Sequence, residues 1–232
     1  MLTIEAGGAR LQLLPQRAVH LPDHATLLVA DAHIGKAVSF RRLGVPVPEA
    51  TTAGTLARLS RALQVTGATQ VVFLGDLLHS AHAHAADTLA ALARWREAHA
   101  SLRLTLVRGN HDNRAGDPSA GLQVQCVDEP WHLDGLPGLA LCHHPQTLPG
   151  RYVLAGHVHP SAVLRGRARE RLRLPCFHFG PALGVLPAFG DFTGTHTLPR
   201  GAQDRVFVSS GVTAHDTVHE LPPYTSAHER CF

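Results

Sequence analysis

The sequence predicts an α/β fold with a parallel sheet and a second sheet packed on it. Strand-length apolar runs recur along the chain, and each ends at Gly, His or Asp. Helical patterns lie between the first three of these runs, and from about residue 120 they give way to short strands separated by Gly and Pro. Alternation of strands and helices is typical of a parallel sheet covered by helices, and the later strands indicate the second sheet.

The first half of the chain supplies the parallel strands and their helices. The runs TLLVA, QVVFLG and LRLTLV have the length and composition of buried strands. Between them, TAGTLARLSRALQ and ADTLAALARWREAHA place leucines at helical spacing. Each of these two segments therefore predicts an amphipathic helix with one face on the sheet.

The second half of the chain supplies strands with Gly and Pro turns between them. Two further apolar runs, LALC and YVLAG, lead into His143 and His157. The remaining predicted strands are LQVQCV, SAVLRGR, RLRLPCFHF, PALGVLP and DRVFVSS. No linker or repeat divides the chain, so a single domain over residues 1–232 is expected.

Composition excludes several classes of protein. The 232 residues are 44% apolar with a net charge of +3, as in an ordinary globular protein. The four cysteines have no paired spacing, which argues against a disulfide framework. No stretch approaches the roughly 20 apolar residues of a membrane span, and the first residues lack the pattern of a secretion signal. We expect a cytoplasmic protein with no membrane partner.

Each of the five apolar runs ends in side chains that can bind a metal ion or a proton. Strand ends converge on one edge of an α/β sheet, where ligands and catalytic groups collect. Gly75, Gly109 and Gly156 remove the Cβ beside these positions. Any one motif is common in turns, but the ordered set predicts one site. Its residues are Asp31 and His33, Asp76, Asn110 with His111 and Asp112, His143 and His144, and His157 and His159.

The mixture of ligand types indicates the kind of metal. Carboxylate, imidazole and amide groups together suit Mn, Fe, Co or Zn better than Ca. Asp76 has no histidine two residues away and is suited to bridge two ions about 3.5–4 Å apart, an arrangement used to hydrolyse phosphate esters.

This ordered set resembles that of the calcineurin-like metallophosphoesterases, over a core of about residues 27–211 followed by a tail at 212–232. The resemblance implies a four-layered α/β/β/α sandwich and two divalent metal ions. Manganese is the expected ion, with iron, zinc and cobalt as alternatives. The family resemblance also implies the ligands of each ion. One ion is then held by Asp31, His33 and His159, the other by Asn110, His143 and His157, and both by Asp76.

The same resemblance assigns His111 to catalysis, as general acid or transition-state stabiliser, with Asp112 orienting it. Many relatives have glycine at the position of His144, so His143 is the expected ligand and His144 the alternative. His79, three residues after Asp76, either orients a metal ligand or lies on the surface.

Finer motifs resemble the bacterial ligase-associated, DNA-damage-response metallophosphoesterases. The motifs are DAHIGKAVSFRRLGVPVP, LCHHP, YVLAGHVHP, LRLPCFHFG and LPAFGDFTG. This resemblance implies a DNA endonuclease that acts in repair, with a ligase or helicase of the same system as a partner. A phosphodiesterase or phosphatase for nucleotides or other small molecules is the nearer alternative, and a non-catalytic module of the same fold is the distant one. LPAFGDFTG is either a tight loop or a segment that shapes the substrate site.

Two basic segments are candidates for DNA contacts. Lys36, Arg41 and Arg42 follow the first motif and are positioned to bind phosphates beside the scissile bond, unless they form a solvated loop. LRGRARERLRL sets arginines at alternate positions, either as one row or divided between the strands of a hairpin. Oligomeric state is not predicted.

Overall fold

The computed structural model describes residues 1–42, 44–47, 51–80, 85–166, 170–210 and 217–223, with the Arg42 side chain outside the description. The predicted fold class is confirmed, because the described residues form two mixed sheets of seven strands each. Among these residues, none of the helices combines the length and apolar character required to cross a bilayer.

The first sheet contains seven strands in sequence order, from β1 at one edge to β7 at the other. β4 to β7 are parallel, whereas β1 to β4 form an antiparallel meander. The strands are β1 (Leu2–Ala6), β2 (Ala9–Leu13), β3 (Val19–Leu21), β4 (Thr26–Val29), β5 (Gln70–Leu74), β6 (Arg103–Val107) and β7 (Val124–Val127). Sequence analysis did not identify the first three strands and grouped LQVQCV with the second sheet, whereas β7 pairs with β6.

The second sheet has the order β14-β13-β11-β12-β9-β8, with β10 paired to β11. β8, β9 and β12 run parallel, and the other pairs are antiparallel. The strands are β8 (Leu139–Leu141), β9 (Tyr152–Ala155), β10 (Ser161–Arg165), β11 (Arg171–Phe179), β12 (Leu183–Val185), β13 (Arg205–Ser209) and β14 (Val218–Glu220). β14 lies in the predicted tail, so that segment contributes to the sheet.

Four α-helices occur among the described residues, all before residue 116. They are α1 (Lys36–Arg42), α2 (Thr51–Thr66), α3 (Ala86–Ala98) and α4 (Asn110–Ala115). The two helices predicted from leucine spacing correspond to α2 and α3. Leu56, Leu59 and Leu63 of α2 are buried in the core between the helices and the first sheet.

The alternation of side chains along the central strands builds two cores. In β4, Leu27 and Val29 face the helices, while Leu28 faces the second sheet. Phe177 and Phe207, both fully buried, fill the core between the sheets. A parallel strand that is covered on both faces has apolar residues at successive positions, which explains the composition of the run TLLVA. This packing fixes the ends of both sets of parallel strands, which carry the candidate site.

Candidate metal centre

The candidate ligands lie just beyond the ends of five parallel strands. Two positions after the last residues of β4, β5, β8 and β9 lie Asp31, Asp76, His143 and His157, respectively. Asn110 is the first residue of α4, which follows β6. The first sheet thus supplies the carboxylates, His33 and the amide, and the second sheet supplies the other histidines. The structure brings all seven predicted ligands together at the edge shared by the two sheets.

The first group of ligand atoms belongs to Asp31, His33 and His159, which lie within 4.8 Å of one another. Nε2 of His159 is 3.2 Å from Nε2 of His33 and 3.4 Å from Oδ1 of Asp31. Oδ1 of Asp31 is buried and accepts no hydrogen bond from the described residues. A buried carboxylate oxygen without a donor is costly, and a cation at this position satisfies it. These residues therefore fit a metal ion.

The second group centres on the fully buried His143. Its Nε2 lies 3.0 Å from Oδ1 of Asn110, 3.1 Å from Nδ1 of His157 and 3.5 Å from Oδ1 of Asp76. Ligand bonds of about 2.0–2.2 Å place neighbouring donors on one ion roughly 3 Å apart. The spacing in this group fits a second ion.

Asp76 lies between the two groups. Its Oδ1 faces His143, and its Oδ2 lies 3.8 Å from Nε2 of His33. Burial raises the pKa of Asp76, and the nearby Asp31 carboxylate raises it further. Positive charge between the two carboxylates would oppose both effects. One carboxylate is thus positioned to contact both candidate ions.

Burial favours the neutral form of three of the candidate ligand histidines. Burial is the main cause of the strongly lowered pKa of His33, and it also lowers the pKa of His143 and His157. His159 differs, because the Asp31 carboxylate outweighs burial and raises its pKa. Neutral imidazole is the form that binds metals.

The two adjacent histidines of the fourth motif have different surroundings. Nδ1 of His143 lies 3.0 Å from the carbonyl oxygen of Leu74, so it donates there and leaves Nε2 free to bind a metal. Nδ1 of His144 instead lies 2.6 Å from Oε1 of Glu129, and its side chain is 43% exposed. This geometry favours His143 as the ligand.

Glu129 is a site residue that sequence analysis missed. Its Oε2 accepts hydrogen bonds from the backbone N–H groups of His143, at 2.6 Å, and His144, at 2.9 Å. Those bonds lower the pKa of Glu129 against the opposing effect of its burial. A single glutamate in a loop carries no local pattern, so no signal in the sequence could have identified it.

The backbone is strained at the ligand positions. A positive φ is unfavourable for residues other than glycine and clusters at functional sites. Five of the seven predicted ligands have one: Asp31 (53°), His33 (44°), Asp76 (52°), His157 (72°) and His159 (53°).

The predicted glycines lie against this cluster. A Cβ on Gly75 would overlap the His143 ring, and one on Gly109 would overlap the Asp76 carboxylate. A Cβ on Gly156 would lie 2.7 Å from Oδ2 of Asp31. The three glycines let the strand ends approach the ligands closely, as predicted.

His111 lies beside the cluster, but its predicted partner is elsewhere. The His111 side chain is 30% exposed, and its Nε2 is 3.9 Å from Oδ2 of Asp76. Asp112 was expected to orient the imidazole; its carboxylate instead accepts hydrogen bonds from the backbone N–H groups of Gly109, Asp76 and Leu78. Asp112 lies in the first turn of α4, and both of its carboxylate oxygens are occupied by backbone donors rather than by the His111 ring.

His79, rather than Asp112, contacts the ring of His111. Nδ1 of His111 lies 2.7 Å from the carbonyl oxygen of His79, and the two rings stack with centroids 4.9 Å apart. Nδ1 of His79 also lies 3.4 Å from Nδ1 of His33. Burial, with Lys36 and His111 nearby, lowers the pKa of His79 to about 4. His79 therefore contacts both a candidate ligand and the candidate catalytic histidine.

The predicted phosphate-binding residues lie on α1. Lys36 is half-buried; burial lowers its pKa, whereas Asp31 and Asp76 raise it, and its Nζ lies 5.8 Å from the centroid of the Phe40 ring. Arg41 is exposed and its Nη1 lies 3.5 Å from the carbonyl oxygen of Val47. The Arg42 side chain lies outside the described residues. In the arginine-rich segment, Arg165 pairs with Arg171 across the β10–β11 hairpin, so the arginines are divided between two strands.

The chain is similar to solved structures of known proteins. No protein-family model and no curated protein matches the chain. Among solved structures, the nuclease MPE of Pseudomonas putida is 45% identical, covering 89% of this chain and 96% of its own, with a TM-score of 0.79. The E. coli phosphoesterase YfcE is 13% identical, covering 86% of this chain and 99% of its own, with a TM-score of 0.41.

Proposed function

The chain belongs to the metallophosphoesterase family, and we propose that it hydrolyses phosphodiester bonds of DNA with two divalent metal ions, manganese above all. The observation that carries the proposal is the convergence of ligand atoms from both sheets in two adjoining groups that share Asp76. The 45% identity to a nuclease over 89% of the chain supports a nucleic acid as the substrate, and DNA is the finer part of the proposal.

Each ion has its own ligands and one that is shared. Asp31, His33 and His159 would hold the first ion, and Asn110, His143 and His157 would hold the second. Asp76 would be the ligand common to both. When bound, such ions lower the pKa of water and neutralise phosphate charge. Oxygen and imidazole ligands in this ratio suit manganese, and they also accept iron, zinc or cobalt.

His111 is the proton donor in this proposal. Its Nδ1 donates to the His79 carbonyl oxygen, which fixes the ring and leaves Nε2 beside the cluster, 3.9 Å from Oδ2 of Asp76. A proton on Nε2 neutralises charge on the phosphate and passes to the leaving oxygen. Asp112 contributes indirectly, by fixing the start of α4 on which His111 lies.

Lys36 is the residue best placed to bind a phosphate next to the scissile one. It is the single lysine of the chain and lies at the start of α1, near enough to Asp31 and Asp76 for their charges to raise its pKa against the larger effect of burial. Arg41 is exposed at the far end of the same helix and is the further candidate for a phosphate contact. Arg42 stays a prediction, because its side chain lies outside the described residues. We further propose that the protein acts in DNA repair in the cytoplasm, together with a ligase or helicase.

The direct test is hydrolysis by the purified protein loaded with manganese. Single- and double-stranded DNA are compared with cyclic nucleotides and mononucleotides, and metal content is measured on the same sample. We expect hydrolysis of DNA with two ions per chain. Hydrolysis of the small substrates alone would assign the same site to a small-molecule phosphodiesterase or phosphatase.

A further inference from the structure

The segment LPAFGDFTG, here called the Phe192 loop (residues 186–194), is built onto the metal-binding backbone. The N–H groups of Phe189 and Gly190 donate to the carbonyl oxygens of Ala30 and Asp31, at 2.8 and 3.0 Å. The carbonyl oxygen of Gly194 lies 2.9 Å from Nδ1 of His159 and orients that ring. The loop therefore contacts two of the candidate ligands of the first ion.

Arg58 of α2 fixes the same loop from the other side. Its buried guanidinium donates to the carbonyl oxygen of Phe189 and, at 2.6 Å, to Oδ1 of Asp191. A Cβ on Gly190 would overlap the carbonyl oxygen of Ala32, so the loop packs directly against that backbone. These contacts hold the loop in one conformation.

The position of Phe192 has no explanation in packing. Its side chain is 54% exposed, and its φ is 58°, in the left-handed region that a bulky residue avoids. Residues with strained backbone conformations cluster at active sites and ligand contacts. The ring is therefore a candidate contact for a substrate.

Phe192 lies between two hollows, one beside each candidate histidine ligand of the first ion. The narrower hollow is polar and is lined by Lys36, His33 and Thr55. The wider one has a volume of about 230 Å³ and is lined by His159, Phe192, Arg17 and two prolines, Pro160 and Pro175. Pockets for drug-sized ligands measure about 300–1,000 Å³, so the wider hollow suits a single ring system.

Arg17 gives the wider hollow a planar cation. Its φ is 63°, and its Nε is buried with no hydrogen-bond partner in the described part of the chain. Aromatic rings and arginine planes are the surfaces on which nucleobases stack. The prolines and Phe192 supply apolar walls, and Arg17 supplies a donor for a base edge.

We propose that this hollow is a base subsite, which binds the nucleobase attached to the sugar next to the scissile phosphate. The base stacks on Phe192 with Arg17 at its edge, while the phosphate on that nucleotide lies at the metal ligands near His159. The inference rests on the proposed function and adds a position for the base.

The test is a dinucleotide series with Phe192 variants. The substrates are thymidylyl-thymidine and its two analogues in which one base is replaced by hydrogen on the sugar. In the wild type, removal of the base that occupies the subsite should lower kcat/KM about tenfold, in keeping with stacking on an aromatic side chain. Removal of the other base should have a smaller effect. In Phe192→Leu, which keeps apolar bulk without the ring, that difference shrinks to about twofold or less, and Phe192→Tyr restores it. Val65→Ala, at an exposed apolar residue near the end of α2, is the control.

A second measurement reports binding without turnover. A dinucleotide carrying 2-aminopurine is mixed with the metal-loaded protein in the His111→Ala background, where stacking on Phe192 quenches its fluorescence and Phe192→Leu removes the quenching. An equal loss of kcat/KM by Phe192→Leu with and without the base, or unchanged quenching, overturns the subsite. Failure of the wild type to hydrolyse any DNA overturns the proposed function instead, and the fluorescence still decides the subsite.

Discussion

At the scale of single residues, His111 and Asp112 show how neighbours in sequence acquire separate tasks. Asp112 is 1% exposed, and its carboxylate satisfies three backbone N–H groups around the start of α4. His111 is turned toward the cluster, with its ring held by the carbonyl oxygen and ring of His79. A carboxylate partner next to a histidine can be guessed from sequence, but a backbone carbonyl partner cannot.

His111→Ala separates catalysis from metal binding. General acid catalysis contributes typically 10²–10⁴-fold, so kcat should fall by roughly that factor, while the ions stay bound because His111 is not one of the proposed ligands. Steady-state kinetics and metal analysis of the same sample measure the two effects. His219→Ala, on exposed β14, is the control and should change neither. Turnover within a few-fold of the wild type would refute the role given to His111.

Glu129→Gln tests the contact between a carboxylate and the fourth motif. The amide cannot accept all three hydrogen bonds at Oε1 and Oε2 with the same strength, so the His143–His144 segment should loosen. Loss of such outer contacts typically costs about 10–100-fold in metal affinity. Titration calorimetry should show weakening of one ion and little change in the other.

The control for this variant is the neighbouring Asp128→Asn. Asp128 is largely exposed and pairs only with Arg108 in the described structure. Equal weakening of both ions by Glu129→Gln, or the same weakening by Asp128→Asn, would contradict the assignment of Glu129 to the His143 side of the site.

At the scale of elements, strand ends explain why the ligand set was predictable. Asp31, Asp76 and His143 each follow a short apolar run, and parallel strands must end at one edge. The same local patterns do not indicate to which of the two sheets a strand belongs. LQVQCV forms an edge strand with half-exposed side chains, and only its register with β6 places it in the first sheet. The strands β1 to β3 were missed because their short runs lack a following motif.

Gly75→Ala tests the close approach of strand β5 to the ligands. Its φ is 76°, and a Cβ there would overlap the ring of His143. Gly67→Ala is a matched control, because its φ is 66° and a Cβ there meets no atom within 4 Å. Left-handed backbone costs an alanine about 1–2 kcal/mol, so both variants should lose that much free energy of unfolding.

Only Gly75→Ala should also lose bound metal, since it displaces His143. Urea denaturation gives the free energy of unfolding, and metal analysis gives the occupancy. Equal metal content in the two variants would show that the ring of His143 moves aside without leaving the site.

At the scale of the whole molecule, the site depends on how the two sheets are held together. Asp31, His33, Asp76 and Asn110 follow strands of the first sheet, whereas the remaining ligands follow strands of the second. Between the sheets lies a core that includes the fully buried Phe177 and Phe207. A periodic pattern in the sequence predicts each sheet separately. The packing of one sheet on the other depends on side-chain volumes distributed along the chain, and this packing brings Glu129 and the Phe192 loop to the ligands.

Ions that bind residues of both sheets should stabilise the whole fold. A ligand at 100 times its Kd adds about 2.7 kcal/mol to the free energy of unfolding, and 1 kcal/mol shifts Tm by about 2–4 °C in a chain of this size. Two manganese ions should therefore raise Tm by about 10–20 °C, as measured by calorimetry with and without chelator. His111→Ala should show the same rise, whereas Asp76→Asn should lose more than half of it because Asp76 contacts both ions. A rise of half this size that Asp76→Asn abolishes would indicate a single ion at the centre of the site.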